Sequence, residues 1–266
     1  SMAGFPHPEA PRTLNYYLRT NLETNEAQLA KWDILVVPHQ VIDQATASLQ
    51  LIRDLNPNQI TLAYIDPFQI PGNPANFPGH IQYDLVAGVE DEWLARNTDG
   101  DVLEIWGSSL HVNFTSVCPE VDGKIYREYF VEFVTDRLLS LIESDVIDGV
   151  FLDEMSNGGY LWWDDQDSFV GEYDYDGDGL PDSDEDLAFW MTEAVMYFSD
   201  AIGAALPEKG YAMGNNCKPY QPGVRRKLYE AFPGNWAGYI PGTLMDMDVW
   251  NSLESGSHIT RTNAVS

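Results

Sequence analysis

The chain has 266 residues, 44% of them hydrophobic and 12% aromatic, which suffices for one large domain with a sizeable core and excludes wholesale disorder. Asp and Glu number 42 against 14 Lys and Arg, a formal net charge of −28, so a nucleic-acid backbone or an anionic lipid surface is a poor partner. No apolar run approaches the ~20 residues of a membrane-spanning helix.

In chain order, residues 14–18 read as a strand and 26–32 as a short helix. Residues 34–38 (ILVVP) form a nearly continuous apolar run, the pattern of a strand covered on both faces. The spacing of Ile42, Ala45, Leu49 and Ile52 predicts a helix over 41–55, and 60–65 (ITLAYI) is a third strand. A Pro- and Gly-rich excursion follows over 66–118, and an excursion of that length inside a compact domain is usually functional. Tyr126, Tyr129, Phe130, Phe133, Val134, Leu138, Leu141 and Ile142 share one face of a helix over 126–144. Residues 150–152 are a fourth strand that ends at Asp153 and Glu154.

Beyond an acidic loop, 186–206 is a second strong helix, with Leu187, Trp190, Met191, Ala194, Val195, Phe198 and Ile202 inward. Residues 211–214 and 227–232 read as a fifth and a sixth strand, 243–253 as a helix and 258–265 as a seventh strand. Alternating strand and helix imply a parallel sheet with right-handed crossovers. The expected fold is therefore α/β, a (β/α)8 TIM-type barrel incomplete at its C-terminus. It forms a single domain over 1–266 with an insertion at 155–186 after the fourth strand. An unclosed barrel exposes two sheet edges, which favours self-association.

Cys118 and Cys217 belong to no CxxC or Cys/His cluster, so zinc and redox chemistry lack support, and their pairing stays open. The leading Ser-Met-Ala-Gly reads as a tag remnant, which leaves the compartment to other features.

The most specific motif lies inside the insertion. In the twelve residues from Asp174 to Glu185, Asp174, Asp176, Asp178 and Asp182 occupy positions 1, 3, 5 and 9, Gly179 position 6 and Glu185 position 12. Ca²⁺ takes six to eight hard oxygens; the carboxylates would supply them, the Leu180 carbonyl would add one, and Gly179 would permit the sharp turn. No helix precedes the loop, so the expectation is a lone structural Ca²⁺ site that folds the insertion over the end of the fourth strand.

Chemistry in an α/β barrel gathers at the C-terminal ends of the strands. Asp66, Asp153, Glu154 and Glu230 fall there, and Asn215 lies at the fifth exit. Paired carboxylates suit glycoside hydrolysis, in which one protonates the leaving oxygen while the other attacks the anomeric carbon or activates water. Each acid taken singly is as well explained by a salt bridge or a helix cap. The strand context favours Asp153 as nucleophile or base and Glu230 as general acid, with Asp66, Glu154 and Asn215 binding substrate. Trp106, Trp162, Trp163 and Trp236 lie in loops on the same side, where flat rings stack on sugar faces. Tyr16, Tyr17, Arg19 and His39 at earlier exits are candidate hydroxyl-binding groups, although His39 by itself reads as structural.

The segments 149–154 (GVFLDE), 214–216 (GNN) and 229–232 (YEAF) resemble the barrel glycosidases near glycoside hydrolase family 114 and related hypothetical glycosyl hydrolases. The resemblance runs from residue 14 to about 250. It implies a (β/α)-barrel acting on a polysaccharide or oligosaccharide, with Asp153 matching the family's strand-four acid and Glu230 its later Glu. The calcium insertion is a departure from that pattern.

Two readings compete with a hydrolase. One is a non-catalytic, calcium-stabilised carbohydrate-binding protein; the other is a structural or adhesion module. No P-loop, GxGxxG or GxSxG motif is present, which sets nucleotide-binding and serine-hydrolase classes aside. Of the 42 acids, 11 fall between 164 and 186 with no Lys or Arg among them, so a bound ion would neutralise part of the charge. The rest of the chain is still acidic and holds five lysines, which fits a secreted, salt-adapted surface.

Overall fold

The computed structural model describes residues 13–73, 80–105, 109–153, 172–206, 211–217, 238–241 and 259–260. Its main layer is a seven-stranded sheet built from β1 (Thr13–Tyr16), β2 (Ile34–Pro38), β3 (Ile60–Ile65), β7 (Gly149–Leu152), β8 (Tyr211–Cys217), β9 (Gly238–Pro241) and β10 (Ile259–Thr260). The strands lie in the order β10-β1-β2-β3-β7-β8-β9. From β1 to β9 every pairing is parallel, so the α/β fold with a parallel sheet is as expected.

The parallel pattern breaks at β10. It runs antiparallel to β1, with Thr13 opposite Thr260 and Leu14 opposite Ile259. An antiparallel neighbour needs no crossover helix, so two residues suffice to pair with the β1 edge. Among the described residues, β10 and β9 are the edges of the sheet. The strand expected over 227–232 and the helix over 243–253 lie outside the described residues, and β9 falls where no strand was expected.

Strands β2, β3 and β7 are buried along almost their whole length, as their unbroken apolar runs predict. The helices α1 (Glu26–Leu29), α2 (Thr46–Leu55), α4 (Tyr126–Glu143) and α5 (Asp184–Ala205) are amphipathic or apolar. In α4, Tyr126, Phe130, Val134, Leu138 and Ile142 recur at three- and four-residue spacing and are buried. At its start the Ile125 N–H donates to Glu128 Oε2 at 3.2 Å. In α5, Ser183 caps the helix by accepting from the Asp186 N–H at 3.1 Å, and Leu187, Met191, Ala194, Val195, Phe198 and Ile202 turn inward. Phe198 meets Phe130 of α4 edge-on at 5.4 Å and Phe68 at 6.2 Å, which ties both helices to the sheet's upper end. Each such fully buried side chain contributes about 1.5–3 kcal/mol.

Two expectations change. The helix over 41–55 is shorter: residues 39–41 make a 3-10 turn and α2 begins at Thr46, because Ala45 leaves the helical region at φ −100°, ψ 12°. Ile42 and Ala45 remain buried, which is why the apolar periodicity ran through them.

The excursion over 66–118 also has structure of its own. It holds β4 (Gln69–Pro71), α3 (Ile81–Ala87), β5 (Glu104–Ile105) and β6 (Ser109–His111), with an antiparallel sheet in the order β4-β6-β5. Gln69 pairs with His111, Ile70 with Leu110 and Pro71 with Ser109. Cys118 is a buried free thiol, pushed up to about 11 by burial.

Candidate active site

The parallel register of the sheet brings three predicted residues to one level. Ile65 pairs with Leu152 and Leu152 with Gly214, so Asp66, Asp153 and Asn215 each stand one residue beyond a register pair. Neighbouring strands lie about 4.8 Å apart, so Asp66 and Asp153 are adjacent across β3 and β7. The Asp153 N–H donates to the Ile65 carbonyl at 3.1 Å, which keeps the two chains together to the rim. Parallel strands present their ligand-binding groups at this carboxyl end.

Both carboxyls are buried, Asp66 7% and Asp153 5% exposed, and their surroundings differ. On Asp153, Oδ2 accepts from the Tyr16 hydroxyl at 3.0 Å and from the Tyr64 hydroxyl at 2.7 Å. On Asp66, Oδ1 accepts from the Phe68 N–H at 2.8 Å and Oδ2 from the Gln69 amide at 2.6 Å. Burial pushes the Asp66 carboxyl up to about 7, and the Asp153 charge pushes the same way against those two donors. Asp66 therefore keeps its proton towards neutrality. The Tyr16 hydroxyl is raised well above its ordinary range, first by burial and then by Asp153, so it is a donor throughout.

The rings that carry these donors are held by one another. Tyr16 meets Tyr64 edge-on at 5.5 Å and Phe151 at 5.3 Å, while Tyr64 stacks on Phe151 at 6.3 Å. Alternation along a strand puts Tyr64 and Asp66 on one face of β3, and Phe151 and Asp153 on one face of β7. Tyr64 was absent from the sequence reading. Its position two residues before Asp66 on a strand is the signal that would have found it.

A cavity of about 420 Å³ opens beside Asp66, lined by His39, Gln40, Tyr64, Asp66, Gln69 and Gln82 among others; Asp153 stands behind it, bonded to the Tyr64 hydroxyl. Tyr16, a candidate substrate-binding group, is bonded to Asp153. Glu154, Trp106, Trp162, Trp163, Trp236 and Glu230 lie outside the described residues, and of Asn215 only the backbone is described.

The predicted calcium loop joins the excursion through an antiparallel bridge between Asn97 and Tyr173. Asp174, Asp176 and Asp182 each bring one carboxylate oxygen within 4.8 Å of the others. Gly177 and Gly179 take φ of 73° and 81°, which glycine adopts without strain. The Gly179 N–H donates to Asp174 Oδ2 at 3.1 Å, the Leu180 N–H to Asp178 Oδ1 at 2.7 Å and the Tyr175 N–H to Asp182 Oδ2 at 2.6 Å. Asp174 Oδ1 is buried and has no hydrogen-bond partner. Converging carboxylates and an orphaned buried oxygen fit a hard cation. Burial and the charges of Asp176, Asp174 and Asp178 lift Asp182 to about 6, although the Tyr175 N–H opposes them.

Tyr175 fastens this loop to the excursion. Its ring is buried, its hydroxyl is hydrogen-bonded to His111 Nε2, and its carbonyl accepts from the Asn113 amide at 2.7 Å. The Asp174 N–H also donates to the Arg96 carbonyl at 3.1 Å.

A family model described as hypothetical glycosyl hydrolase family 15 matches residues 53–178. Over those residues the chain is similar to a glycosyl hydrolase family. The matched stretch contains Asp66, Asp153 and Asp174, Asp176 and Asp178 of the acidic loop. Among solved structures, a polyextremophilic beta-galactosidase from the Antarctic haloarchaeon Halorubrum lacusprofundi is 11% identical with a TM-score of 0.46, over 77% of this chain and 36% of that one. The chain thus spans about a third of that enzyme's length. No curated protein matches the chain. No helix among the described residues is long and apolar enough to cross a membrane.

Proposed function

We propose that the protein is a glycoside hydrolase whose parallel sheet belongs to a (β/α)-barrel and whose chemistry is carried by carboxyl groups at the strand ends. The observation that carries this reading is the buried pair Asp66 and Asp153, set side by side in register and held in unlike surroundings, with Asp66 lining a cavity. Unlike surroundings separate two acids into different roles. Asp153, fed by two tyrosine hydroxyls on one oxygen, is suited to act as nucleophile or base at the anomeric carbon. Asp66 lines the cavity and retains its proton towards neutrality, so within this pair it is the group suited to give one to the leaving oxygen. Glu230, singled out by the sequence, is the other candidate for that acid. The family match over 53–178 supports the reaction class.

Ca²⁺ is proposed as a structural ion held by Asp174, Asp176, Asp178, Asp182, Glu185 and the Leu180 carbonyl; when bound it supplies charge neutralisation to the loop. Secretion is proposed from the acidic surface.

The test is turnover on a panel of neutral and acidic polysaccharides with wild type, Asp66→Asn, Asp153→Asn and Glu230→Gln. Reducing ends released by wild type and lost by at least 10³-fold in Asp153→Asn support the assignment. Full activity in Asp153→Asn defeats it.

A further inference from the structure

We propose that His39 reads the substrate: its Nε2 accepts a hydrogen bond from a hydroxyl of a sugar ring seated in the cavity beside Asp66. The inference deepens the glycan reading and rests on it.

His39 follows the last residue of β2 and is only 3% exposed, yet it lines the cavity. Its Nδ1 lies 2.8 Å from the backbone carbonyl of Tyr64. A carbonyl only accepts, so Nδ1 carries the hydrogen and Nε2 presents its lone pair. Burial holds the ring well below its ordinary range, at about 4, so that lone pair is free of a proton at neutral pH. Among the described residues Nε2 has no hydrogen-bond partner, and a buried polar atom left in that state costs stability unless a ligand or water satisfies it.

Two further atoms share this condition. Gln40 Oε1 and Gln82 Oε1 are buried without partners, and both side chains line the same cavity. A hydroxyl donates to the Nε2 lone pair and also accepts from an amide NH2, so a ring of hydroxyls suits the His39 ring together with the Gln40 and Gln82 amides. A keto, methoxy or carboxylate group against Nε2 would set lone pair against lone pair. The cavity's volume falls in the range of small-molecule sites.

The position also explains how recognition reaches the chemistry. The Tyr64 carbonyl is bonded to His39 while the Tyr64 hydroxyl is bonded to Asp153, so one residue fixes both the reader and the reacting carboxylate. Among the described residues that line the cavity with His39, Asp66 and Tyr64 are the titratable ones, and Gln40, Gln69 and Gln82 are neutral.

The test is ¹⁵N NMR of histidine-labelled protein at pH 7, alone and with saturating D-glucose, D-galactose, D-mannose or D-xylose as probes. The expected result is a neutral Nδ1–H tautomer whose Nε2 signal moves with at least one sugar, and a loss of about tenfold or more in that sugar's affinity in His39→Phe. If His39→Phe does not fold, the wild-type signal decides alone. An Nε2–H tautomer, or an Nε2 signal unmoved by all four sugars, overturns the proposal. A sugar that moves the signal in a protein that cleaves no glycan defeats hydrolysis and leaves this assignment standing. Glycan cleavage with a silent His39 does the reverse.

Discussion

Tyr64 donates its hydroxyl to Oδ2 of Asp153 at 2.7 Å across the seam between β3 and β7. The strand that supplies this donor also supplies Asp66, two residues further on, so one segment builds both halves of the carboxyl pair's environment. Tyr16 reaches the same oxygen from β1.

Removing the Tyr64 hydroxyl should therefore damage catalysis without unfolding the chain. In Tyr64→Phe the ring keeps its stacking on Phe151, and Asp153 keeps Tyr16. A hydrogen bond to a charged group is worth about 1.5–3 kcal/mol, so kcat/KM should fall roughly 10- to 100-fold with little change in Tm. Steady-state kinetics on whichever glycan wild type cleaves, beside a melting curve, measures both.

The pH dependence of stability should carry the mark of Asp66. Folded, it holds its proton to about 7; unfolded, it ionises near 3.8. Between those values the folded state binds the extra proton, so this group's contribution falls as pH rises, by at most about 1.4 kcal/mol per unit. His39 and His111 act oppositely over the acid range: burial lowers them to about 4 and about 3, so the unfolded chain binds their protons and stability rises with pH. The difference between wild type and Asp66→Asn isolates the acid. Urea unfolding should show the variant gaining on wild type between pH 5 and pH 8, and a constant difference would remove Asp66 as the titrating group.

Calcium should stabilise the fold. An ion bound at a hundredfold excess over its Kd adds about 2.7 kcal/mol, which in a domain of this size raises Tm by several degrees. Calorimetry with excess Ca²⁺ against EDTA should show that rise in wild type and lose it in Asp174→Ala. A melting temperature indifferent to both would count against the site.

Tyr175→Phe should weaken the join between that loop and the small sheet. The hydroxyl's bond to His111 is buried, so its loss costs about 1–3 kcal/mol. Chemical denaturation should report that loss. Unchanged stability would mean that the Asn113 and Arg96 contacts hold the loop by themselves.

Much of this molecule was legible residue by residue. Continuous β-branched runs marked β2, β3 and β7 because a strand buried on both faces needs apolar side chains at every position. The spacing of Asp174, Asp176, Asp178 and Asp182 around Gly179 marked an acidic loop proposed to hold Ca²⁺, and strand exits marked Asp66 and Asp153 as acids to watch. Those patterns are local, set by the two- and 3.6-residue periods of the backbone and by the short reach of a chelating loop.

What the chain order did not contain is adjacency. Asp66 meets Asp153 only because β3 and β7 pair in parallel across a long excursion, and that register follows from how helices pack back onto the sheet. The three-stranded sheet inside the excursion escaped notice because its strands are two or three residues long, too short to show a period. Tyr64 has no motif and escaped notice, and His39 was a candidate hydroxyl-binding group that read singly as structural; each has a partner that the fold brings within 3 Å. Sequence determined the elements and the chemistry available at their ends; tertiary structure decided which of those groups stand side by side and which line the cavity, because strand register brings together residues far apart in the chain.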